Sequence, residues 1–345
     1  MAYTTINKST DYFNTVTYTG NGSANTALTT GTFQPDWVWF KNRGTTETHL
    51  LMDAVRGATK YIQSATAAAE GTSSDKISAF TSTGVTLGSG AETNENNQPL
   101  VCWNWKANGQ GSSNTDGTIN STYTSANTTS GFSIIKYTGT GSAGTVGHGL
   151  GQTLDAVIVK KTSGDEDWNV WIRADTPKIG ILNETNAFYS PGSAGIVGST
   201  ITSSVLGLGT GATANGSGAT YVAYCFAEKQ GFSKFGKYTG NGEQSDNAFV
   251  YTGFKPAFVI IKRQDQATNW VMFDTARDTY NEGSKVLLPD NSAAETSGSQ
   301  KIDFLSNGFK IRSSGNNTGD SSPYTYICFA EAPLVGSNNV PWTAR

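Results

Sequence analysis

The chain has 345 residues, of which 15% are charged and 36% hydrophobic, and its formal net charge is −3. This balance excludes the basic surface expected of a protein that binds nucleic acid or an anionic membrane. Its 40 glycines and its 14 tyrosines, 16 phenylalanines and 8 tryptophans favour an all-β protein over a helical bundle, because turn residues and large β-forming side chains are both plentiful.

Targeting signals are missing from the sequence as it stands. No apolar stretch approaches the ~18 residues needed to cross a bilayer. The polar segment 1–11 has no signal-peptide core. We therefore expect synthesis in a cytoplasm, with no export signal and no membrane insertion.

One short phrase occurs three times, as YTGNG at 18–22, KYTGTG at 136–141 and KYTGNG at 237–242. Each occurrence is typical of a strand end that runs into a glycine turn. The tyrosines lie about 100 residues apart, which is the length of a small domain rather than of a solenoid repeat. The phrase predicts three tandem copies of one unit, which we call copies 1, 2 and 3.

An apolar run that ends in lysine follows the phrase in each copy, at 35–41, 155–160 and 256–262. A run in which odd and even positions are both apolar predicts a strand buried on both faces. The terminal lysines, Lys41 and its equivalents, are predicted to mark the return to solvent. Trp39 aligns with isoleucines in the other copies and is assigned to the core.

Each copy closes with a strand that contains one cysteine: Cys102, Cys225 or Cys328. Aligned on each other, the three cysteines are predicted to occupy one equivalent position as reduced, buried thiols. The two histidines, His49 and His148, fall in different copies. A Ser-His-Asp triad or a histidine zinc site is therefore not expected, and we predict no catalytic residues and no cofactor.

Each copy offers several short strands separated by turn signals, which predicts an all-β fold of three tandem β-sandwich domains of jelly-roll or lectin-like type. Segment 107–131, nearly all Gly, Ser, Asn and Thr, is predicted to be a linker or an exposed hairpin. The predicted boundaries are 1–106 for copy 1, 132–230 for copy 2, 231–333 for copy 3 and 334–345 for a C-terminal tail.

Candidate site residues are few. Asp165, Glu166 and Asp167 form an acidic loop that is either a weak cation site or simply solvated. Trp105 aligns with Glu228 and Glu331, positions expected to face water, so an aromatic there predicts an interface or, alternatively, a ligand contact.

The tail carries a further candidate, Trp342, an aromatic in a polar, proline-containing segment that ends at Arg345. An aromatic in such a segment favours docking on a neighbour. We predict for it the same kind of contact as for Trp105, an interface or a ligand contact.

Several longer phrases resemble repeated modules of structural proteins in marine tailed phages, notably cyanophages. They are YVAYCFAE at 221–228, GFSKFG at 231–236 and FLSNGFK at 304–310, together with the KYTGNG phrase. The opening AYTTINK and the closing segment from Ala332 also resemble these proteins. The resemblance implies a virion component built from lectin-like β-sandwiches in tail fibres or surface appendages. It supplies no residue-level binding motif.

Together these observations predict a non-enzymatic virion protein, a tail-fibre or appendage subunit that attaches to the host surface, with a glycan as one potential receptor. Its expected partners are other virion proteins, a host receptor and further copies of itself, with a homotrimer favoured by analogy with fibre proteins. The alternatives are a capsid decoration or tail-assembly protein and, third, a glycan depolymerase.

Overall fold

The chain is all-β in a computed structural model that describes residues 3–333. Its sheets are antiparallel, and the α-helices in this range are the single turns α1 (Ala91–Asn94) and α2 (Ala212–Asn215). Neither they nor any other helix of these residues has the length and apolar character to cross a membrane. The all-β class predicted from composition is confirmed.

The strands follow the three copies. Copy 1 contains β1 (Phe13–Thr19), β2 (Thr26–Thr29), β3 (Trp37–Asn42), β4 (Leu50–Asp53), β5 (Lys60–Gln63), β6 (Gly71–Thr72), β7 (Ile77–Thr81), β8 (Gly84–Leu87) and β9 (Pro99–Trp105). Copy 2 contains β10 (Ser121–Asn127), β11 (Phe132–Thr138), β12 (Gly144–Gly147), β13 (Ala156–Lys161), β14 (Asn169–Ile172), β15 (Ile179–Ile181), β16 (Val205–Leu208) and β17 (Thr220–Phe226). Copy 3 contains β18 (Ser233–Thr239), β19 (Phe249–Tyr251), β20 (Phe254–Arg263), β21 (Val271–Asp274), β22 (Gly283–Val286), β23 (Thr296–Leu305), β24 (Gly308–Ile311) and β25 (Pro323–Pro333).

Each copy builds a large and a small sheet with the same connections. The large sheets share the orders β1-β9-β3-β4, β11-β17-β13-β14 and β18-β25-β20-β21, and copies 1 and 2 add edge strands to them. The small sheets are β2-β8-β7, β12-β16 and β19-β24-β23-β22. The repeated phrase thus marks β1, β11 and β18, the strand of each large sheet that pairs with the last strand of its copy.

Segment 107–131 contributes to copy 2. Its strand β10 lies at the edge of the second large sheet and forms a hairpin with β11. An isolated bridge also ties Ile119 to Val146 of the small sheet in the same copy. Gly, Ser, Asn and Thr can form an edge strand as readily as a linker, so composition alone did not place this strand.

The apolar runs are buried on both faces, as predicted. In β3, Val38 and Phe40 pack in a cluster with residues of the small sheet of copy 1. Trp37 and Trp39, on the opposite face, join a larger cluster that contains residues of all three copies. Alternating side chains of one strand therefore serve two different cores.

Equivalent residues of the three large sheets converge on one point. An apolar gap in the middle of the molecule is lined by one set from each copy: Trp37, Trp39, Trp105, Ile158, Phe226, Phe258, Ile260, Ile327 and Phe329. Ring contacts cross from copy to copy. Trp37 stacks on Tyr224 of copy 2 with ring centroids 4.4 Å apart, and Phe226 lies 5.7 Å from Phe329 of copy 3. The copies are therefore arranged as a ring around a shared aromatic core.

Strand pairing corrects the predicted alignment of the last strands. Trp105 lies opposite Trp37, just as Phe226 lies opposite Ala156 and Phe329 opposite Phe258. Trp105 is therefore equivalent to these two phenylalanines, and the predicted equivalence to Glu228 and Glu331 is wrong.

The corrected alignment also changes which residues are equivalent to the cysteines. Cys225 and Cys328 share one position with Asn104, whereas Cys102 lies two residues earlier. A shift of two residues keeps every side chain on its face of the strand, so hydrophobic alternation could not reveal the error. All three thiols are buried and free, but they do not occupy one equivalent position.

Candidate functional site

Three extended segments, which we call arms, join each copy to the next. Arm 1 (63–70) reaches copy 2, arm 2 (181–188) reaches copy 3, and arm 3 (288–295) returns to copy 1. We call the interface between two neighbouring copies a seam. The same backbone contact recurs at each seam: the amides of Glu70, Phe188 and Glu295 donate to the carbonyls of Thr162, Gln264 and Arg43, at 3.1, 2.9 and 2.9 Å. The third arm closes the ring, because it links the last copy to the first.

The lysines that end the apolar runs are part of these seams. Nζ of Lys160 donates to the carbonyl of Ala67 in arm 1 at 2.8 Å, and Nζ of Lys262 donates to that of Thr185 in arm 2 at 2.9 Å. Lys41 donates to Ser292 in arm 3 at 3.2 Å. All three side chains are fully buried, so the prediction that these lysines return to solvent is wrong.

Burial has an electrostatic consequence for the three lysines. It lowers the pKa of Lys41, Lys160 and Lys262 to about 8 in each case, because the charged ammonium loses hydration. Backbone carbonyls replace that hydration in part. Each lysine also donates to a carbonyl of its own copy, that of Glu47, Glu166 or Thr268, at 2.6, 2.7 and 2.6 Å. The lysines therefore act as donors that fix the arms.

A buried Asp–Arg pair recurs at the end of β4 and of β21. Nε of Arg56 contacts Oδ2 of Asp53 at 2.5 Å, and Arg277 contacts Asp274 in the same way. In copy 3 the aspartate also accepts a hydrogen bond of 3.0 Å from Nε1 of Trp103, which belongs to copy 1. These charges are sealed in the interior and compensated by partners across a seam.

The seam between copies 2 and 3 makes the same junction without charge. The residue of copy 2 equivalent to Asp53 and Asp274 is Ile172, and the residue of copy 3 equivalent to Trp103 is Ile327. Both isoleucines are buried in the shared core. Donor and acceptor are thus both replaced by apolar side chains, so neither polar group is left buried alone.

A polar groove of about 540 Å³ opens at the seam between copy 3 and copy 1. This volume lies within the usual range of small-molecule sites. The lining side chains are polar, acidic or small, and come from arm 3, the start of arm 1, the loop before β4 and helix α1: Thr46, Glu47, Thr48, Gln63, Ala65, Thr66, Glu92, Asp290, Asn291 and Ser292.

A side-chain pair explains why the other copies differ here. In copy 2, Nδ2 of Asn183 donates to Oδ1 of Asp167 at 2.7 Å. In copy 3, Nδ2 of Asn269 donates to Oδ2 of Asp290 at 3.0 Å. Each pair links the loop before the fourth strand of the large sheet to the arm of its own copy.

Copy 1 lacks this pair. Thr48 and Ala65 stand at the two equivalent positions, and both line the groove. Neither can supply the carboxylate–amide hydrogen bond, and both side chains are shorter than those at the equivalent positions of copies 2 and 3. The groove therefore includes the place that a side-chain pair fills in the other copies.

Two polar atoms of residues that line the groove, Oδ1 of Asp290 and Oγ1 of Thr48, are themselves buried from solvent. Burial raises the pKa of Asp290 to about 6, although hydrogen bonds from Asn269 and from the backbone amides of Asp290 and Trp270 and the charge of Lys262 favour its charged form. These two oxygens therefore belong to the packed wall and not to the surface that the groove presents.

Trp105 does not lie at a position that faces water. It is 2% exposed and packs against Phe258 and Phe329 of copy 3, with ring centroids 5.8 and 5.6 Å away. It also lies 4.3 Å from Trp37. The structure places this residue in the shared core, at the seam between copies 1 and 3.

The acidic loop of copy 2 lies against arm 1. Oδ1 of Asp165 accepts a hydrogen bond of 3.0 Å from the amide of Ala69, and Asp167 is engaged with Asn183. The amide of Glu166 donates to the carbonyl of Ala67. Residues 3–333 contain no group of three or more His, Cys, Asp or Glu side chains placed to hold a metal ion. Trp342 lies outside the described residues.

Both histidines are buried. Nδ1 of His49 accepts a hydrogen bond of 2.9 Å from Nε1 of Trp39, and His148 contacts the carbonyl of Thr202. Burial lowers the pKa of each imidazole. No pattern in the sequence indicates the arms, the groove or the burial of the lysines, because these depend on contacts between copies.

The chain belongs to the family of the domain of unknown function DUF7483, which matches residues 8–333. The match covers all three copies as one unit, consistent with their shared core. Comparison with curated proteins and with solved structures finds no match.

Proposed function

We propose that the chain is a non-enzymatic virion protein, a tail-fibre or appendage subunit that attaches a phage to its host. The observation that carries this proposal is the closed ring of three copies around one aromatic core. Such a ring has no free seam, so it suits a particle surface that must stay rigid. The resemblance of the repeated phrases to marine phage structural proteins points in the same direction.

Each copy is best described, in this proposal, as a β-sandwich of lectin-like type. A large sheet faces the shared core and a small sheet covers its other side. In copy 1, for example, Phe40 and Met52 of the large sheet pack in one cluster with Leu87 of the small sheet. In lectin-like proteins, loops and outer faces are free to carry binding residues.

An exposed aromatic pair gives copy 3 a surface of its own. Phe249 and Tyr251, on β19, are 47% and 61% exposed. Strand pairing makes Ala27 and Thr29 their equivalents in copy 1. Exposed aromatics at neighbouring positions of one strand face favour contact with a partner, either the host surface or another virion protein.

The burial of the chain's histidines and cysteines, which could act as bases or nucleophiles, supports a binding role over an enzymatic one. The histidines and the three cysteines are buried, and the Asp–Arg pairs are sealed in the interior. Homotrimerisation of such rings would multiply weak host contacts into avidity.

Binding of the purified chain to host cells tests the attachment role. We expect the wild-type protein to bind, and the F249A/Y251T variant, which carries the residues of copy 1 at these positions, to bind less. A properly folded oligomer that binds no host cell and no envelope glycan would overturn attachment.

Antibody labelling of intact particles separates the alternatives. Label on the tail fits the proposal, whereas stoichiometric label on the head would make the chain a capsid decoration protein. Release of sugars from envelope glycan by the pure protein would make it a depolymerase.

A further inference from the structure

We propose that the outer edge of β1 accepts an extended strand from another protein, which pairs with it antiparallel as β10 pairs with β11 in copy 2. We expect this strand to resemble β10 in being uncharged and rich in serine and threonine. The inference goes beyond the attachment function, since it names a docking surface and the kind of partner segment that fits it.

The first argument is the direction of the backbone groups of β1, which is the outermost strand of its sheet. Just after β1, the amide of Gly20 donates to the carbonyl of Gln98 at 3.0 Å. Because antiparallel pairing alternates, the odd-numbered residues of β1 direct their amides and carbonyls away from β9, among them Phe13, Thr15 and Thr17. Within residues 3–333, no other strand and no backbone hydrogen bond reaches these groups.

The second argument is the equivalent edge of copy 2, which is filled. Phe132 lies opposite Phe226 as Phe13 lies opposite Trp105, so β11 is the counterpart of β1. The strand β10 pairs antiparallel along β11 and ends with Asn127 opposite Phe132. The chain therefore already contains one strand added to this edge, which shows the geometry and the composition that the edge accepts.

The third argument is a cavity of about 260 Å³ beside the same part of β1. One wall is formed by Thr10 and residues 13–15, and the facing wall by copy 3, including Ala257 and residues 330–331. The cavity thus lies at the seam between copies 3 and 1. Its size suits the end of a single strand rather than a second sheet.

The counterpart of this cavity at the seam between copies 1 and 2 is occupied by the end of β10 and the turn after it. Lys106 and Ala107 are equivalent to residues 330–331, because Trp105 is equivalent to Phe329. Their carbonyls accept hydrogen bonds of 3.3 Å each, from Oγ of Ser130 and from Nδ2 of Asn127. An added strand at β1 would fill the cavity in the same way.

The fourth argument is the charge on the open edges. Edge strands of native proteins commonly carry lysine, which prevents pairing with other chains. The strand β18, the counterpart of β1 in copy 3, follows this rule with Lys234 and Lys237. The strand β1 reads FNTVTYT and has neither charge nor proline, so it lacks these features that oppose a further strand.

Binding of a synthetic peptide to the full chain tests the proposal. The probe is the sequence of residues 119–129, which contains β10, with blocked termini and a fluorescent label for anisotropy. A control peptide carries Ser125→Pro. Ser125 pairs with Ile134, the counterpart of Thr15, and proline removes the amide that would donate to β1.

Two matched protein variants locate the binding site. T17P removes an outward amide of β1 and no bond to β9, a position at which an edge strand accepts proline. K237P makes the same change at the equivalent position of β18, and both residues are exposed. Both variants should keep thermal midpoints near that of the wild type, which separates a blocked edge from misfolding.

We expect saturable binding of the peptide to the wild type and to K237P. Binding should be about tenfold weaker or less for T17P and for the Ser125→Pro peptide, because main-chain hydrogen bonds provide the affinity in strand addition. Hydrogen exchange of segment 13–19 should slow when the peptide is bound to the wild type.

No saturable binding, equal binding by T17P or loss of binding in K237P would overturn the inference. A wild-type dimer that T17P dissociates would also overturn it, since a second copy of the chain would then occupy the edge. Host-cell binding by T17P would leave the attachment function intact, so the two proposals can fail independently.

Discussion

The hydroxyl of Tyr224, in copy 2, donates a hydrogen bond of 2.8 Å to Oδ2 of Asp53, in copy 1. Asp53 is fully buried and also bonds to Arg56. The tyrosine thus donates a hydrogen bond across a seam to a buried carboxylate. Trp103 donates in the same way to Asp274 at the seam between copies 3 and 1.

The Tyr224→Phe substitution tests this relationship. We expect a loss of roughly 1–3 kcal/mol in the free energy of unfolding, because a buried charged acceptor loses a donor without a change in shape. Urea denaturation measures it. Tyr280→Phe, at a residue 85% exposed, is the control and should be neutral. Equal stability of the Tyr224 variant and the wild type would mean that the hydrogen bond contributes nothing.

Substitution of Trp105 tests the corrected strand alignment. Trp105→Phe introduces the residue found at this position in copies 2 and 3. It should cost at most about 2 kcal/mol, because the site accepts a smaller ring at some packing cost and Nε1 of Trp105 has no partner among the described residues. Trp105→Glu should prevent folding or cost more than about 3 kcal/mol, because it buries an unpaired carboxylate. Tolerance of glutamate in thermal unfolding would support the alignment with Glu228 instead.

Each seam lysine contributes a term to stability that rises with pH. The pKa of Lys262 is lowered to about 8, against about 10.4 in an unfolded chain. Between these values the unfolded chain holds a proton that the folded chain has released, so the free energy of unfolding increases with pH. The slope is at most roughly 1.4 kcal/mol per pH unit for each such lysine.

Denaturant unfolding between about pH 8 and pH 9.5 measures the slope in the wild type and in lysine variants, and the difference between them isolates the lysine, because the three buried thiols contribute an opposite slope in the same range. Lys262→Met should be less stable, because the carbonyls of Thr185 and Thr268 lose their donor. It should also show a shallower slope. Lys178→Met, at an exposed residue, should keep the wild-type slope, and an unchanged slope in the Lys262 variant would contradict the assignment.

Thiol chemistry provides a further test of the core. Cys102, Cys225 and Cys328 are fully buried, and burial raises the pKa of each thiol. We expect an aromatic disulfide reagent to react with none of them in the native protein and with all three after denaturation. Fast reaction of a single thiol under native conditions would show that its strand opens locally.

Much of the local structure follows from the sequence. The repeated phrase marked the three copies, and the apolar runs 35–41, 155–160 and 256–262 predicted doubly buried strands. Both are properties of neighbouring residues, because strand periodicity and turn chemistry act over a few positions. The Asp–Arg pairs are local features of the same kind, since their members lie three residues apart.

The candidate site could not be predicted from local sequence patterns. The groove joins Thr48 to Asp290, and its shape depends on arm 3 crossing to copy 1. No local pattern encodes which loop an arm will meet, so the groove could not be predicted. Trp105 was misplaced because a two-residue shift preserves strand alternation and only pairing with Trp37 fixes the register.

By itself the sequence determined an all-β chain of three related copies, because each copy repeats the short-range signals that form its strands. Only the tertiary structure decided that the copies close into a ring, that Lys41, Lys160 and Lys262 are buried, and that copy 1 leaves a groove open. These outcomes depend on contacts between residues about one domain length apart, whose cost and gain are set by packing and desolvation in the folded molecule.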